Sequence, residues 1–353
     1  MVSGFVFKIL SGLFPLNWGP RYTEIGKYPS RVELLLSLAA IRFRKAIQSA
    51  IRGELSAISD SPSISEVRLR RRYTAFTVTE PAFEDSNLND RPSIRLLWMT
   101  HRKDFRILHH SIDGLLRHLK NPVRDIVFIS PDALETKNYV ETRAKIEVPT
   151  IFFSDSDFMT ERQLSVLRHS LGQHAGWAAS QLIKVNFILS SESVPTLMVD
   201  SDTVLLRDKQ WLYNDGRQLL YFRWYENPRY ESYLRHWGFT EMDPLRSFIT
   251  HHTLFQPELL RNLMDEMFSA HDLETLVTAV ADGQRALGFP EFCIDDEPYG
   301  QVMFKNFRDR VVLDKYSNIN RSIPAEDKQL ARILEELRNE GKFNSVSFHN
   351  PER

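Results

Sequence analysis

Between residues 31 and 57, RVELLLSLAAIRFRKAIQSAIRGELSA, apolar side chains return every three to four positions, with arginines and Lys45 falling between them. That spacing predicts an amphipathic helix. A Ser/Pro-rich break, the basic run VRLRRRY (Val67 to Tyr73) and the polar stretch EDSNLNDRPS (Glu84 to Ser93) follow. Past this stretch the rhythm changes. IRLLWMT (Ile94 to Thr100), DIVFIS (Asp125 to Ser130), KIEVPTIFF (Lys145 to Phe153), the run entered at Thr196 and QLLYFR (Gln218 to Arg223) are short and mostly apolar, as buried strands require. The stretches DFRILHHSIDGLLRHL (from Asp104), GWAASQLIKVNFILS (from Gly176) and PELLRNLMDEMF (from Pro257) are predicted helices. Strands separated by helices of this length predict an α/β fold with an open, mostly parallel sheet flanked by helices. The chain then divides into an N-terminal helical and basic extension, 1–93, and a sheet domain, 94–353, with no internal repeat.

Composition narrows the function classes. The 353 residues carry a formal net charge of -1, which argues against a general nucleic-acid binder. A single cysteine, Cys293, excludes an intrachain disulfide framework, a Cys-rich zinc site and a CxxC redox centre, and fits a reducing cytoplasm. No apolar run approaches the roughly 20 residues needed to span a bilayer. The apolar start, MVSGFVFKILSGLFPLNWGP, is read as a packing arm, with a peripheral membrane contact as the alternative. Arg68, Arg70, Arg71 and Arg72 read as a solvated face or partner surface. Oligomeric state is left open.

The densest chemistry is TLMVDSDTVLLR, where Asp200 and Asp202 interrupt an apolar strand. Carboxylates in such a setting are costly unless paired, hydrogen-bonded or metal-bound. A turn in which Asp or Ser caps the next element is the bland reading. Open α/β sheets, however, bind ligands outside the carboxyl ends of their strands, which is where this pair would stand. The glycine-rich dinucleotide fingerprint, the Walker A pattern and the G-x-S-x-G elbow are all missing. What remains is an acidic pair suited to hold Mg²⁺ or Mn²⁺ against a diphosphate.

The Asp200-Ser201-Asp202 step resembles the DxD signature of nucleotide-sugar glycosyltransferases with the GT-A fold. The closer resemblance is to a bacterial family of uncharacterised polysaccharide-biosynthesis-type proteins, the DUF6492 family. It rests on Gly176-Trp177 with Gln181 and Lys184, Val199 to Asp202, SFITHHTLF (Ser247 to Phe255), Glu297-Pro298-Tyr299-Gly300 and Ser347-Phe348-His349. These span Ile94 to His349 and leave the extension uncovered. The chain departs from the family at Ala178-Ala179-Ser180, where an aromatic and a second Gln belong. The resemblance implies a GT-A-like domain, a nucleotide-sugar donor such as a UDP-sugar, a bound divalent ion, and a glycan or glycolipid hydroxyl as acceptor.

Residue by residue, Asp202 is the first candidate metal ligand, Asp200 a second ligand or a ribose and sugar contact, and His349 a candidate third. His251 and His252 are candidate donors to the diphosphate or acceptor, one facing the cleft and the other the core. Glu297 is the candidate general base, with Asp296 and Asp295 competing for that role and a solvated acidic loop as the bland account. Lys184 and Gln181 are candidate donor contacts on one helix face, and Asp104 and Arg106 candidate base or ribose contacts. Trp177 and Trp224 are either stacking platforms or core. Inverting and retaining chemistry both stay open. Two rivals stand beside the transferase: a metal-dependent phosphoester hydrolase, and a non-catalytic interaction protein on the same fold.

Overall fold

Ile94–Met99 (β1) is buried along nearly its whole length, and so are the apolar centres of Val123–Ser130 (β2) and Thr196–Asp200 (β4). Strands apolar on both faces need cover on both faces, and parallel strands need long crossovers that supply it. The computed structural model describes residues 91–349 apart from 225–227, 240–241, 244–245, 270 and 290–291. The expected helix at 31–57, the apolar start and the basic run lie outside the described residues.

The central sheet has the order β3-β2-β1-β4-β8, with β3 at Thr150–Ser154 and β8 at His252–Phe255. The pairs β1–β2, β2–β3 and β1–β4 are parallel, and β8 closes one edge antiparallel to β4. The architecture is thus α/β, with a mixed, mostly parallel sheet flanked by helices, as the alternation predicts. Helices Phe105–His118 (α1) and Ala133–Arg143 (α2) connect the first three strands. Glu161–Leu171 (α3) and Ala175–Ser190 (α4) then carry the chain back past β1 to β4. The crossovers from β1 and into β4 therefore leave in opposite directions. The crevice between the carboxyl ends of β1 and β4 is the topological switch point, where open sheets of this kind bind ligands. Met99 and Asp200 pair in register there.

Two small sheets frame that crevice. Thr203–Leu205 (β5) pairs antiparallel with Ser345–His349 (β11), which pairs parallel with Asn318–Ser322 (β10). Helix α1 sits so close to β5 that a Cβ at Gly114 would lie 2.7 Å from Val204 Cγ1, so only glycine admits this approach. Asp327–Glu340 (α9) covers the outer side, with Leu330, Leu334 and Leu337 packed on Val204, Leu206, Val346 and Phe348. The other sheet joins Gln218–Trp224 (β6) to Arg246–Ser247 (β7) and Val311–Lys315 (β9). Among the described residues no helix is long and apolar enough to cross a membrane.

The remaining helices, Pro228–His236 (α5), Pro257–Phe268 (α6), Leu273–Leu287 (α7) and Asp296–Asn306 (α8), form the flank beside β8. Helix α8 is locked onto the segment that leads into β8. A Cβ at Gly300 would stand 2.1 Å from Phe248 Cβ, and Tyr299 OH accepts from Gln256 N at 2.9 Å while donating to Gln218 Oε1 at 3.0 Å. Gly300→Ala must push Phe248 or the helix aside. A loss of about 3 kcal/mol is expected, the upper end for an overpacked core, read as a lower urea midpoint at unchanged slope.

Candidate functional site

Strand β4 ends on Asp200, the chain turns at Ser201, and Asp202 enters β5. Ser201 is buried and donates to Asp104 Oδ2 at 3.0 Å, tying the turn to the loop after β1. With the middle residue anchored inward, both flanking carboxylates are left at the crevice. A third group arrives from the residue just before β8: His251 O accepts from Asp200 N at 3.0 Å, and His251 Nδ1 lies 2.7 Å from Asp200 Oδ2. One ligand atom each from Asp200, Asp202 and His251 lie within 4.8 Å of one another.

The small β5–β11 sheet brings in a fourth group. Phe348 N donates to Asp202 O at 2.8 Å, and Thr203 Oγ1 meets Ser347 Oγ at 2.7 Å. That register carries His349 Nδ1 to 3.3 Å from Asp202 Oδ2. The rings of His251 and His349 stand 6.3 Å apart between centroids. The hydrogen bond with Asp202 raises the His349 pKa against the effect of burial. Burial works against ionisation of Asp200, but the His251 bond and the nearby charge of Lys184 outweigh it and hold its pKa below the ordinary carboxylate value. Burial pushes Asp104 upward.

Behind the crevice is a buried polar layer. Lys184 Nζ is 3.0 Å from Asp295 Oδ2, with both side chains at most a tenth exposed. Asp295 also accepts from Asp296 N at 2.9 Å and from the Cys293 thiol at 3.2 Å, capping α8. Burial opposes the Lys184 charge, yet Asp295, Asp200 and Asp296 together raise its pKa. Asp296 is buried with Oδ1 lacking a hydrogen-bond partner, and burial followed by the Asp295 charge pushes its pKa well up. Gln181 Oε1 accepts from Ile294 N at 3.0 Å and so braces the same loop.

The sequence-derived candidates therefore separate. Asp200, Asp202, His251 and His349 meet at the crevice, with Asp104 touching its turn. Lys184, Gln181 and Asp296 form the layer behind it, where Lys184 is paired with Asp295. The stretch CIDDEP, weighed as a solvated acidic loop, is instead buried over Cys293 to Glu297. Glu297 is fully buried and accepts from Ser247 Oγ at 2.8 Å, Phe248 N at 2.7 Å and Gln301 Nε2 at 2.9 Å. His252 turns to the core against Trp211, with both ring nitrogens buried and without a hydrogen-bond partner; burial drops its pKa to about 3. Arg106 points elsewhere, donating to Pro324 O at 2.7 Å and Ala325 O at 3.0 Å. The side chain of Trp224 lies outside the described residues. What the sequence reading missed is that His251 joins the carboxylates, and that Ser201 and Asp104 form one unit. The antiparallel β4–β8 pairing creates the first contact, and nothing local to SFITHHTLF announces it.

No family model matches the chain, and no curated protein does. Among solved structures, mouse xyloside xylosyltransferase 1 in its apo form is similar at 12% identity and a TM-score of 0.40, over 72% of this chain and 97% of that one. The mannosyltransferase Ktr4p from S. cerevisiae in complex with GDP gives 11% and 0.42, over 69% of this chain and 76% of that one. Core-mannan synthase A from Aspergillus fumigatus in its Mn/GDP form gives 8% and 0.41, over 67% and 79%.

Proposed function

We propose that the chain is a metal-dependent glycosyltransferase that moves a sugar from a nucleotide-diphosphate donor to a hydroxyl acceptor. The observation that carries this reading is the Asp200–Asp202–His251 cluster at the switch point of the sheet. Two carboxylates and an imidazole, with donor atoms inside 4.8 Å, fit a small divalent cation, and the imidazole favours Mn²⁺ over Mg²⁺. A divalent ion bound there supplies charge neutralisation for a departing diphosphate.

The protein groups have separable roles in this reading. Asp200 and Asp202 hold the ion, His251 completes its donor set, and the Ser201–Asp104 bond fixes the turn that presents them. His349, drawn toward its charged form by Asp202, places a hydrogen-bond donor for phosphate oxygens at the rim. The Lys184–Asp295 pair sets the charge beneath Asp200 and holds the start of α8. Asp296 adds a buried carboxyl to that layer, one oxygen of it without a hydrogen-bond partner, and burial raises its pKa.

Glu297 is an anchor in this scheme rather than the base, and His252 a core residue. His252→Phe should therefore leave nucleotide binding intact and change stability by less than about 1.5 kcal/mol, because the imidazole spends no hydrogen bond that the phenyl ring would lose. His251→Ala, one position away, should abolish metal-dependent binding. Paired calorimetric titrations of the two variants check this.

The deciding experiment is titration calorimetry of the wild type with UDP, GDP, ADP, CDP and dTDP, with and without Mn²⁺. One nucleotide taken up in a metal-dependent way supports the reading and names the donor base. Failure of a folded wild type to bind any of them with Mn²⁺ present would remove it.

A further inference from the structure

Trp177 is 39% exposed and is the one aromatic among the large apolar side chains exposed in the described residues. Single exposed apolar residues are ordinary on protein surfaces. Three observations set this one apart. First, its ring is held: Trp177 and Phe292 stand 5.0 Å apart between centroids, and Phe292 is fully buried against Tyr233 and Trp237 at 5.7 Å and 6.3 Å. The indole is thus the outer end of an aromatic cluster of tilted and edge-on rings.

Second, the helix places it. Trp177, Gln181 and Lys184 follow one another at the i, i+4, i+7 spacing of a single face. Gln181 binds Ile294 and Lys184 binds Asp295, so that face runs along the segment 292–295 toward the acid cluster. Helix α4 ends just before β4 begins, so it runs back along the sheet and its start lies at the carboxyl rim. Its 16 residues reach about 24 Å, whereas the 5 residues of β4 reach about 17 Å. The first turn of the helix therefore lies toward the carboxyl end of the sheet, on the side of the strand that carries Asp200. Trp177 lies roughly 10 Å along the helix axis from Lys184.

Third, the chain just before Trp177 is open and polar. A Cβ built at Gly176 meets nothing within 4 Å. Gln173 is exposed and His174 half-buried in the turn just before the helix, their polar ends 3.5 Å apart. An exposed planar apolar face, on a helix whose preceding turn carries hydrogen-bonding side chains, suits a pyranose, which offers a C–H face and a rim of hydroxyls.

We propose that Trp177 is an acceptor subsite, its indole being the platform on which a pyranose ring of the acceptor stacks at the rim beyond the Asp200–Asp202–His251 cluster. The proposal rests on the glycosyl-transfer reading and adds the acceptor's chemistry: a sugar presented as a ring, not a protein side chain or a bare lipid.

The test is saturation-transfer NMR on the full chain with Mn²⁺ and a bound nucleoside diphosphate. The probes are the methyl glycosides of glucose, galactose, mannose and xylose in both anomeric forms. Saturation on the ring C–H protons of at least one glycoside is expected in the wild type and in Trp177→Phe. Its affinity should fall about tenfold or more in Trp177→Ala, the loss typical of an aromatic anchor. Being exposed, Trp177→Ala should bind the nucleotide as the wild type does. Equal sugar signals in Trp177→Ala, or none in a wild type that binds nucleotide, overturns the subsite alone. A wild type that takes up no nucleotide overturns instead the reading beneath it.

Discussion

Asp202→Ala will bind its nucleoside diphosphate at least ~100-fold more weakly than the wild type when Mn²⁺ is present, because even outer partners of metal ligands cost roughly 10- to 100-fold. It will also unfold within about 1 kcal/mol of the wild type, since a partly exposed carboxylate facing a crevice holds little of the core. The contacts it gives up are those with His349 and with Thr203 Oγ1 at 3.2 Å, and the latter keeps Ser347 as a partner. Without metal the order should reverse. Asp200 and Asp202 then only repel a diphosphate, and removing one charge lets the nucleotide bind as well as or better than it does to the wild type. This crossing of the two variants between metal-free and metal-loaded titrations separates an ion site from a structural turn. A turn that merely caps β5 would show the same nucleotide affinity in both proteins under both conditions.

Much of the architecture was written in local sequence. The runs at Ile94, Asp125 and Thr196 are long enough and apolar enough to demand burial on both faces, and the helices between them leave a parallel sheet as the economical arrangement. From that sheet alone the Asp200–Asp202 pair could be placed at a strand's carboxyl end. The partners of the pair were not legible. His251 reaches Asp200 through an antiparallel edge strand, and His349 reaches Asp202 through the register Ser347↔Thr203, long-range pairings that no local periodicity encodes. The bland account of CIDDEP as a solvated acidic loop fails for a related reason. Its charges look solvated in sequence, yet Lys184 and the first turn of α8 supply buried partners for them. The segments SFITHHTLF and Glu297 to Gly300 stand out as motifs partly for packing. They interlock, so Gly300 and Glu297 hold the strand entry that presents His251.

Glu297→Ala will cost about 3–4 kcal/mol of stability, because it leaves buried donors without an acceptor and each such group costs roughly 1–3 kcal/mol. Three donors converge on that carboxylate: Ser247 Oγ, Phe248 N and Gln301 Nε2. Gln301 keeps a second acceptor in Arg246 O at 3.0 Å, and Ser247 can rotate, so the sum falls short of three full penalties. Glu297→Gln keeps the shape and one acceptor oxygen, and should lose only about 1–2 kcal/mol. The pH dependence gives the sharper signature. Burial raises the Glu297 pKa even against its three donors. A carboxyl with a raised folded pKa stabilises fully below its unfolded value, and that contribution is lost as pH rises through the folded value. The wild type should therefore lose stability from this residue as pH climbs out of the ordinary carboxylate range, whereas Glu297→Gln cannot. The gap between the two proteins should narrow with rising pH, measured as urea-unfolding free energies at steps from pH 5 to 8. If Glu297 instead serves as the base for the acceptor hydroxyl, Glu297→Gln would melt like the wild type at every pH and lose transfer alone. A fully buried carboxylate engaged on one oxygen by Ser247 and Phe248 and on the other by Gln301 is built to hold the strand entry rather than to meet an acceptor hydroxyl.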